Sequence, residues 1–436
     1  MTDRLDRQQR INRWDQTRIG NATLVLHVDN AAYHIVLDAL VRGCIMIGFK
    51  NVSVVADKSW QFAIRDLQEY SDAIASSTQI QLIQDRTVRR SISRQPKVHV
   101  NLSGKGPFLL RRSLLPDYYN PFLISGAATD RKITWYSEMG DPAYLSTSEF
   151  SSFRKKLPGC PGSGLALVLA GSILAEVVRI LMPLERWVYS DLAQPIFFPI
   201  KTEPAKVSVD QGKKPVLAIV GGGGIGSWLA YAIQSDLSVL NAGHIYIIDN
   251  DKVELTNLNR QVLFTAENIN SYKAETLANK LKWLLGDKIT AINERIEDGD
   301  FFDRKGIKPD IIFSCLDAWQ PRDLLNVIAK KFRSVLVNAG CDPYSVNAYS
   351  YCPGVTPCMD CAMDVKERAA NEVERHSCAA AQPSVVFTNM IAAGMMLFLL
   401  HNPYASREGI LNFDLTFPER LGFIQFNNAD RMCGCC

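Results

Sequence analysis

Residues 216–233 read VLAIVGGGGIGSWLAYAI, five apolar residues running into a glycine cluster and then into a second apolar stretch. An unbroken apolar run of that length suits a strand buried on both faces, as in a parallel sheet covered by helices. Glycine lets the backbone turn tightly and approach a phosphate closely, and the start of the following helix supplies free N–H groups and positive potential. Gly221, Gly223, Gly224 and Gly226 are therefore candidate nucleotide-binding positions. The next strand-like run, residues 244–249 (HIYIID), ends in Asp249, where a carboxylate can take a ribose hydroxyl. To this point a nicotinamide dehydrogenase fits equally well.

The rest of the chain sets the frame for that motif. Its 436 residues exceed one domain of about 150 residues roughly threefold, so more than one core is expected. With 47% apolar and 21% charged residues, the composition is that of a chain that buries ordinary cores, which excludes disorder, collagen and coiled coil. The 48 Lys and Arg nearly balance 45 Asp and Glu, without a long run of one sign, so nothing favours nucleic-acid binding. The opening MTDRLDRQQR lacks the apolar core of a signal peptide. A cytoplasmic, reducing location is the expectation, with the eleven cysteines serving as ligands or nucleophiles rather than as disulfides. The two longest apolar runs, residues 164–184 and 384–400, carry Glu176, Arg179 and Asn389 and suit buried helices better than membrane spans.

The chain also repeats itself. ATLVLHV (22–28) and VSVVA (52–56) correspond to PVLAIV (215–220) and HIYIID (244–249). PFLISGA (121–127) corresponds to SVLVNAG (334–340), and an apolar helix led by Pro161 returns after Pro383, each followed by a strand ending near Asp191 or Asp414. The separation of equivalent segments widens along the chain, as insertions into a second copy would make it. Alternating strands and helices predict an α/β fold with a doubly wound, mostly parallel sheet in each half. The expected division is residues 1–200, a polar linker at 201–214 (KTEPAKVSVDQGKK), and residues 215–436.

From Asp249 the chain reads DNDKVELTNLNRQVLF, then SYKAE, then a strand ending IIFSCLDAW. With its glycine loop, the second half resembles the ThiF/MoeB and ubiquitin-activating enzyme superfamily, which has a GxGGxG loop, a DxD strand end, an NxxRQ segment, a lysine and a later CxD at these places. The resemblance implies two tandem Rossmann-like adenylation folds with an added antiparallel part, ATP and Mg²⁺ as cofactors, Asp249 of the Asp249–Asp251 pair on the ribose, and Asp317 holding Mg²⁺. It further implies Asn257, Arg260 and Lys273 on the triphosphate, with Gln261 packing that segment. The chemistry is consistent, since a carboxylate attacking an α-phosphate is an anion meeting an anion and needs fixed positive charge. The first half has HVDNAAYH and VADKS where the glycine loop and DxD belong, which predicts a nucleotide-free, degenerate copy. It keeps Arg10-Ile11-Asn12-Arg13, resembling the family's R-x-N-R segment, so Arg13 is the expected arginine finger toward the active half.

Cys358-x-x-Cys361 and Cys433-x-x-Cys436 have the spacing of a tetrahedral structural Zn²⁺ site, with Cys435 as an alternative ligand. The resemblance implies that Cys378, in the superfamily's crossover loop beside Arg375 and His376, takes the acyl group as a thioester or enters sulfur-transfer chemistry; a thioester would form on Cys378, since the stretch between Cys361 and Pro383 has no room for a separate catalytic-cysteine domain. Cys315, Cys341 and Cys352 sit in or beside apolar strands and are expected to be buried small hydrophobes.

The resemblance as a whole implies activation of a ubiquitin-like protein through its C-terminal carboxylate, transfer to Cys378, and a conjugating enzyme as next partner, the tandem halves forming an internal pseudo-dimer. Activation of a sulfur-carrier protein, adenylation of a ribosomal peptide's C-terminus as in microcin-type relatives, and a non-catalytic Rossmann-like scaffold are the alternatives.

Overall fold

The computed structural model describes residues 4–28, 31–84, 97–102, 122–129, 132–139, 163–182, 214–236, 239, 241–372, 384–407, 409–415 and 421–424. The strands among them form two sheets. The first contains β1 (Thr23–His27), β2 (Asn51–Val55), β3 (Gln79–Ile83), β4 (Lys97–Asn101), β5 (Phe122–Thr129) and β6 (Lys132–Met139), in the order β3-β2-β1-β4-β5-β6. The second contains β7 (Val216–Val220), β8 (His244–Ile248), β9 (Ile289–Ile292), β10 (Ile311–Ser314), β11 (Val335–Cys341), β12 (Ser345–Tyr351), β13 (Ile410–Asp414) and β14 (Leu421–Ile424). Its order is β9-β8-β7-β10-β11-β12-β13-β14, so its first six strands repeat the order of the first sheet. In each, four neighbouring pairs are parallel and the hairpin β5–β6 or β11–β12 is antiparallel.

Local sequence explains these elements. The VLAIV of β7 is buried in four of its five positions, because strands β8 and β10 pair with both edges and helices cover both faces. The segments expected at 22–28, 52–56, 121–127, 215–220, 244–249 and 334–340 are found as β1, β2, β5, β7, β8 and β11. The expected strand near Asp191, Pro161, Pro383, and all of the 201–214 linker except Lys214 lie outside the described residues.

Helices join the two sheets. The apolar runs form the helices Ser163–Leu181 and Val386–His401, which pack along each other. Small residues set how closely they approach. A Cβ on Gly394 would come within 2.4 Å of the Gly164 carbonyl oxygen, and one on Gly171 within 2.8 Å of the Phe387 carbonyl oxygen. The His34–Ile47 and Gly224–Ile233 helices pack on the outer sides of this pair. One continuous apolar core consequently draws on both halves of the chain. Polar contacts cross the same layer: the Tyr231 hydroxyl donates to Asp38, which also binds Arg42 at 2.7 Å, and His401 meets Asp236 at 2.7 Å. No helix of the described residues is long and apolar enough to cross a membrane.

Candidate active site

Strand order reverses at β7, whose neighbours β8 and β10 are entered by connections on opposite sides. In doubly wound sheets that reversal opens a crevice beyond the carboxyl ends of the strands, where ligands bind. A cavity of about 840 Å³ lies there. It reaches from Val220 and Ile248, at the ends of β7 and β8, to Cys315 and Cys341, at the ends of β10 and β11.

The glycine loop forms one wall. Gly221, with φ of +98°, makes the turn out of β7 in a conformation that favours glycine, and Gly221, Gly223 and Gly224 line the cavity. Gly226 does not line it. A Cβ there would stand 1.9 Å from the Gly221 carbonyl oxygen, so Gly226 lets the helix close onto the loop it leaves. The Asp249 carboxylate accepts the Gly222 N–H at 2.5 Å and the Asp251 N–H at 2.7 Å, tying the end of β8 to the loop. Burial raises its pKa above the usual carboxylate range, an effect that Lys273 opposes.

Cationic groups share the lining. Lys273, at the start of the Lys273–Leu285 helix, is buried and held by Asp251 at 2.8 Å. Asn257 shapes the turn below it: its side-chain oxygen accepts the Glu254 N–H at 3.0 Å, and its carbonyl accepts the N–H groups of Arg260 and Gln261. The Arg260 guanidinium donates to the Thr256 carbonyl at 2.8 Å and to the Asn259 side chain at 2.9 Å. Burial pushes Arg260 down to about 9, and the charge of Arg7 adds to this. A guanidinium keeps its proton, so the shift registers the cost of holding this charge buried beside Arg7. Asp317, exposed at the end of β10, supplies a carboxylate on the same cavity.

Thus Gly221, Gly223, Gly224, Asp249, Asp251, Asn257, Arg260, Gln261, Lys273 and Asp317 share one cavity. Arg13 does not line it. It is exposed in a left-handed turn with φ of 63°, and of Arg7, Arg10 and Arg13 it is Arg7 that lines the cavity. The reason is anchoring. Arg4 donates to the Met46 carbonyl at 2.7 Å and Gln8 to the Ile47 carbonyl at 3.0 Å, which clamps the Asp6–Gln9 turn to the end of the His34–Ile47 helix. Arg7 then points across to Glu254, 3.9 Å away.

Three more residues on the cavity carry no motif. Buried Arg322 donates to the Leu316 carbonyl at 2.6 Å and the Ala339 carbonyl at 3.3 Å, stapling the ends of β10 and β11 on either side of Asp317. Asn389 stands against Gly224. Cys341 corrects the expectation of a wholly buried residue, since it is half-buried and lines the cavity; Cys315 also lines it but is buried, as is Cys352. Burial pushes the Cys341 thiol up to about 11.

Cys378 lies outside the described residues, as do Cys433, Cys435 and Cys436. Cys358 and Cys361, around the start of the Met359–Met363 helix, bring their sulfurs to 3.7 Å. Among the described residues no group of three or more ligating side chains gathers as a metal site.

A model of the ThiF family matches residues 210–435. The ubiquitin-activating enzyme E1-like protein of Saccharomyces cerevisiae is 31% identical over 144 residues, 33% of this chain and 22% of that protein. The NEDD8-activating enzyme E1 catalytic subunit of Arabidopsis thaliana is 30% identical over 161 residues, 34% of each chain. The ubiquitin-like modifier-activating enzyme 5 of Aedes aegypti is 29% identical over 200 residues, 42% of this chain and 48% of that one. The chain therefore spans between about a fifth and a half of the length of these relatives. Escherichia coli MccB solved with ATP is a partial structural likeness, with 24% identity, 47% of this chain and 62% of that one covered, and a TM-score of 0.37. Matched by that model over more than half its length, the chain belongs to the ThiF family.

Proposed function

We propose that the protein is an ATP-dependent adenylating enzyme acting on the C-terminal carboxylate of a ubiquitin-like protein. The observation that carries this reading is that the glycine loop, Asp249, Lys273, Arg260, Arg7 and Asp317 all line one cavity. Its volume lies within the range of ligand pockets, and Arg7, Arg260 and Lys273 on its lining offer fixed positive charge to a triphosphate and an approaching carboxylate. Gly221, Gly223 and Gly224 bring backbone to the phosphates, Asp249 takes the ribose, and Asn257, Lys273 and Arg260 hold the phosphate chain. The carboxylate oxygen attacks the α-phosphorus, the bond to the β-phosphate oxygen breaks, and pyrophosphate leaves. Asp317, exposed on the cavity, would hold Mg²⁺, which supplies further neutralisation of phosphate charge. Arg7 takes the part expected of Arg13, because the anchored turn brings Arg7 and not Arg13 to the cavity.

In this reading residues 1–200 are the degenerate copy, 201–214 the linker and 215–436 the catalytic unit. The acyl group passes from the adenylate to the Cys378 thiolate with release of AMP, and then to a conjugating enzyme. Cys358 and Cys361 would supply half of a structural zinc site completed by Cys433 and Cys436, since two thiolates on one tetrahedral Zn²⁺ stand about 3.8 Å apart, close to the 3.7 Å between these sulfurs.

ATP–pyrophosphate exchange with small ubiquitin-like proteins tests the reading. Exchange should require a free C-terminal carboxylate and fall by roughly two to three orders of magnitude in Asp317→Ala. Its absence with every carboxylate partner would leave a binding scaffold.

A further inference from the structure

Asp317 is exposed on the cavity, in the short turn between β10 and the Trp319–Phe332 helix. Among the described residues its side chain makes no hydrogen bond or ion pair, so the backbone on either side sets where it points. Arg322 holds that backbone just before it, through the Leu316 carbonyl. Glu372 holds it just after. One oxygen of the Glu372 carboxylate accepts the Trp319 N–H at 2.8 Å and the Gln320 N–H at 3.1 Å, from the first two residues of the helix. A carboxylate suits that place, because a helix start presents free N–H groups and positive potential. The other oxygen is buried without a hydrogen bond among the described residues, a loss of stability that a Ser or Asp preceding the helix would avoid. Glu372 also reaches the turn from a separate element. It follows the Val365–Ala370 helix, whose Arg368 lies over the Trp319 ring at 4.9 Å, as Arg322 does. The turn that carries Asp317 is thus fixed by side chains from two helices.

We propose that Glu372 is a positioning residue for the metal ligand: by holding the start of the Trp319–Phe332 helix, it keeps the Asp317 carboxylate turned into the cavity to hold Mg²⁺ with ATP. The inference rests on the adenylation reading, in which Asp317 is that ligand. Without Glu372 the first helical N–H groups lose their acceptor, and the turn loosens on the side that Arg322 does not hold.

The test is calorimetric titration of the full chain with ATP at a series of Mg²⁺ concentrations, which requires no turnover. Glu372→Ala should raise the Mg²⁺ concentration for half-maximal ATP affinity about tenfold, while affinity at saturating Mg²⁺ stays within about twofold of wild type. Glu372→Gln, whose amide oxygen still accepts both N–H groups, should recover most of that shift. In an Asp317→Ala background Glu372→Ala should add nothing, because the residue it positions is gone. An unshifted Mg²⁺ requirement in Glu372→Ala, no recovery by the glutamine, a loss of affinity that persists at saturating Mg²⁺, or a full further shift in the Asp317→Ala background would each overturn the proposal. Should Glu372→Ala fail to fold, Glu372→Asp, one methylene shorter and unable to reach both N–H groups, replaces it in every arm. Asp317→Ala alone with the wild-type Mg²⁺ requirement overturns the metal assignment beneath the proposal, a result separable because Glu372 is intact in that variant.

Discussion

Arg7 and Arg260 face the same cavity from opposite halves of the chain, and the charge of one raises the cost of holding the other. Glu254, 3.9 Å from Arg7 and largely exposed, is too distant and too solvated to cancel them. An anion held between the two would relieve that repulsion.

Arg7→Ala should therefore lower the exchange rate by about a hundredfold, the usual size for removing a fixed charge from a developing anion. Its thermal stability should hold, since the substitution relieves repulsion. Arg13→Ala should stay within about twofold of wild type. Steady-state kinetics of the two variants decides between them, and the reverse pattern would return the finger to Arg13.

The glycine loop separates into structural and ligand-facing positions. Gly226→Ala puts a methyl group 1.9 Å from the Gly221 carbonyl oxygen, a backbone clash that should cost about 3 kcal/mol or more and be visible in denaturant unfolding. A Cβ on Gly223 meets nothing within 4 Å, so Gly223→Ala should fold normally and lose ATP affinity instead. Calorimetric titration with ATP checks the second half of this contrast.

Cys341 should report occupancy of the cavity. Held up to about 11 by burial, its thiol should carry on the order of a hundredfold less thiolate at pH 8 than an ordinary cysteine. Alkylation by iodoacetamide, followed by peptide mass spectrometry, should accelerate about tenfold per pH unit up to that value and be suppressed by ATP. The sign for stability is opposite. The folded state keeps the proton longer than the unfolded chain, so this contribution is complete below about pH 8.5 and is lost as pH rises toward 11. Labelling at pH 8 as fast as that of an exposed thiol would refute the burial argument.

The two sheets should melt as one unit, because one apolar core joins them. Gly394→Val would push side-chain atoms into the Gly164 carbonyl, which a bare Cβ already approaches at 2.4 Å, and should lower the single transition by several degrees. Two separated calorimetric transitions in the wild type would contradict the shared core.

The amino-acid sequence by itself determined the ladder of strands and the nucleotide motif. An apolar run ending in glycines and a carboxylate closing the next strand are local patterns, and local patterns need only neighbours in the chain. The repeat was legible for the same reason: β1, β2 and β5 keep the apolar rhythm of β7, β8 and β11 although HVDNAAYH and VADKS stand where the glycine loop and DxD would be. Tertiary structure alone decided which arginine reaches the site. Arg4, Arg7, Arg10 and Arg13 recur at every third position, and nothing in that spacing distinguishes them. Bonds to the carbonyls of Met46 and Ile47, some forty residues away in sequence, orient the turn and select Arg7. Arg322, Asn389 and Cys341 were hidden for a related reason, since each acts through strand ends or helices that become neighbours only when the sheet is wound.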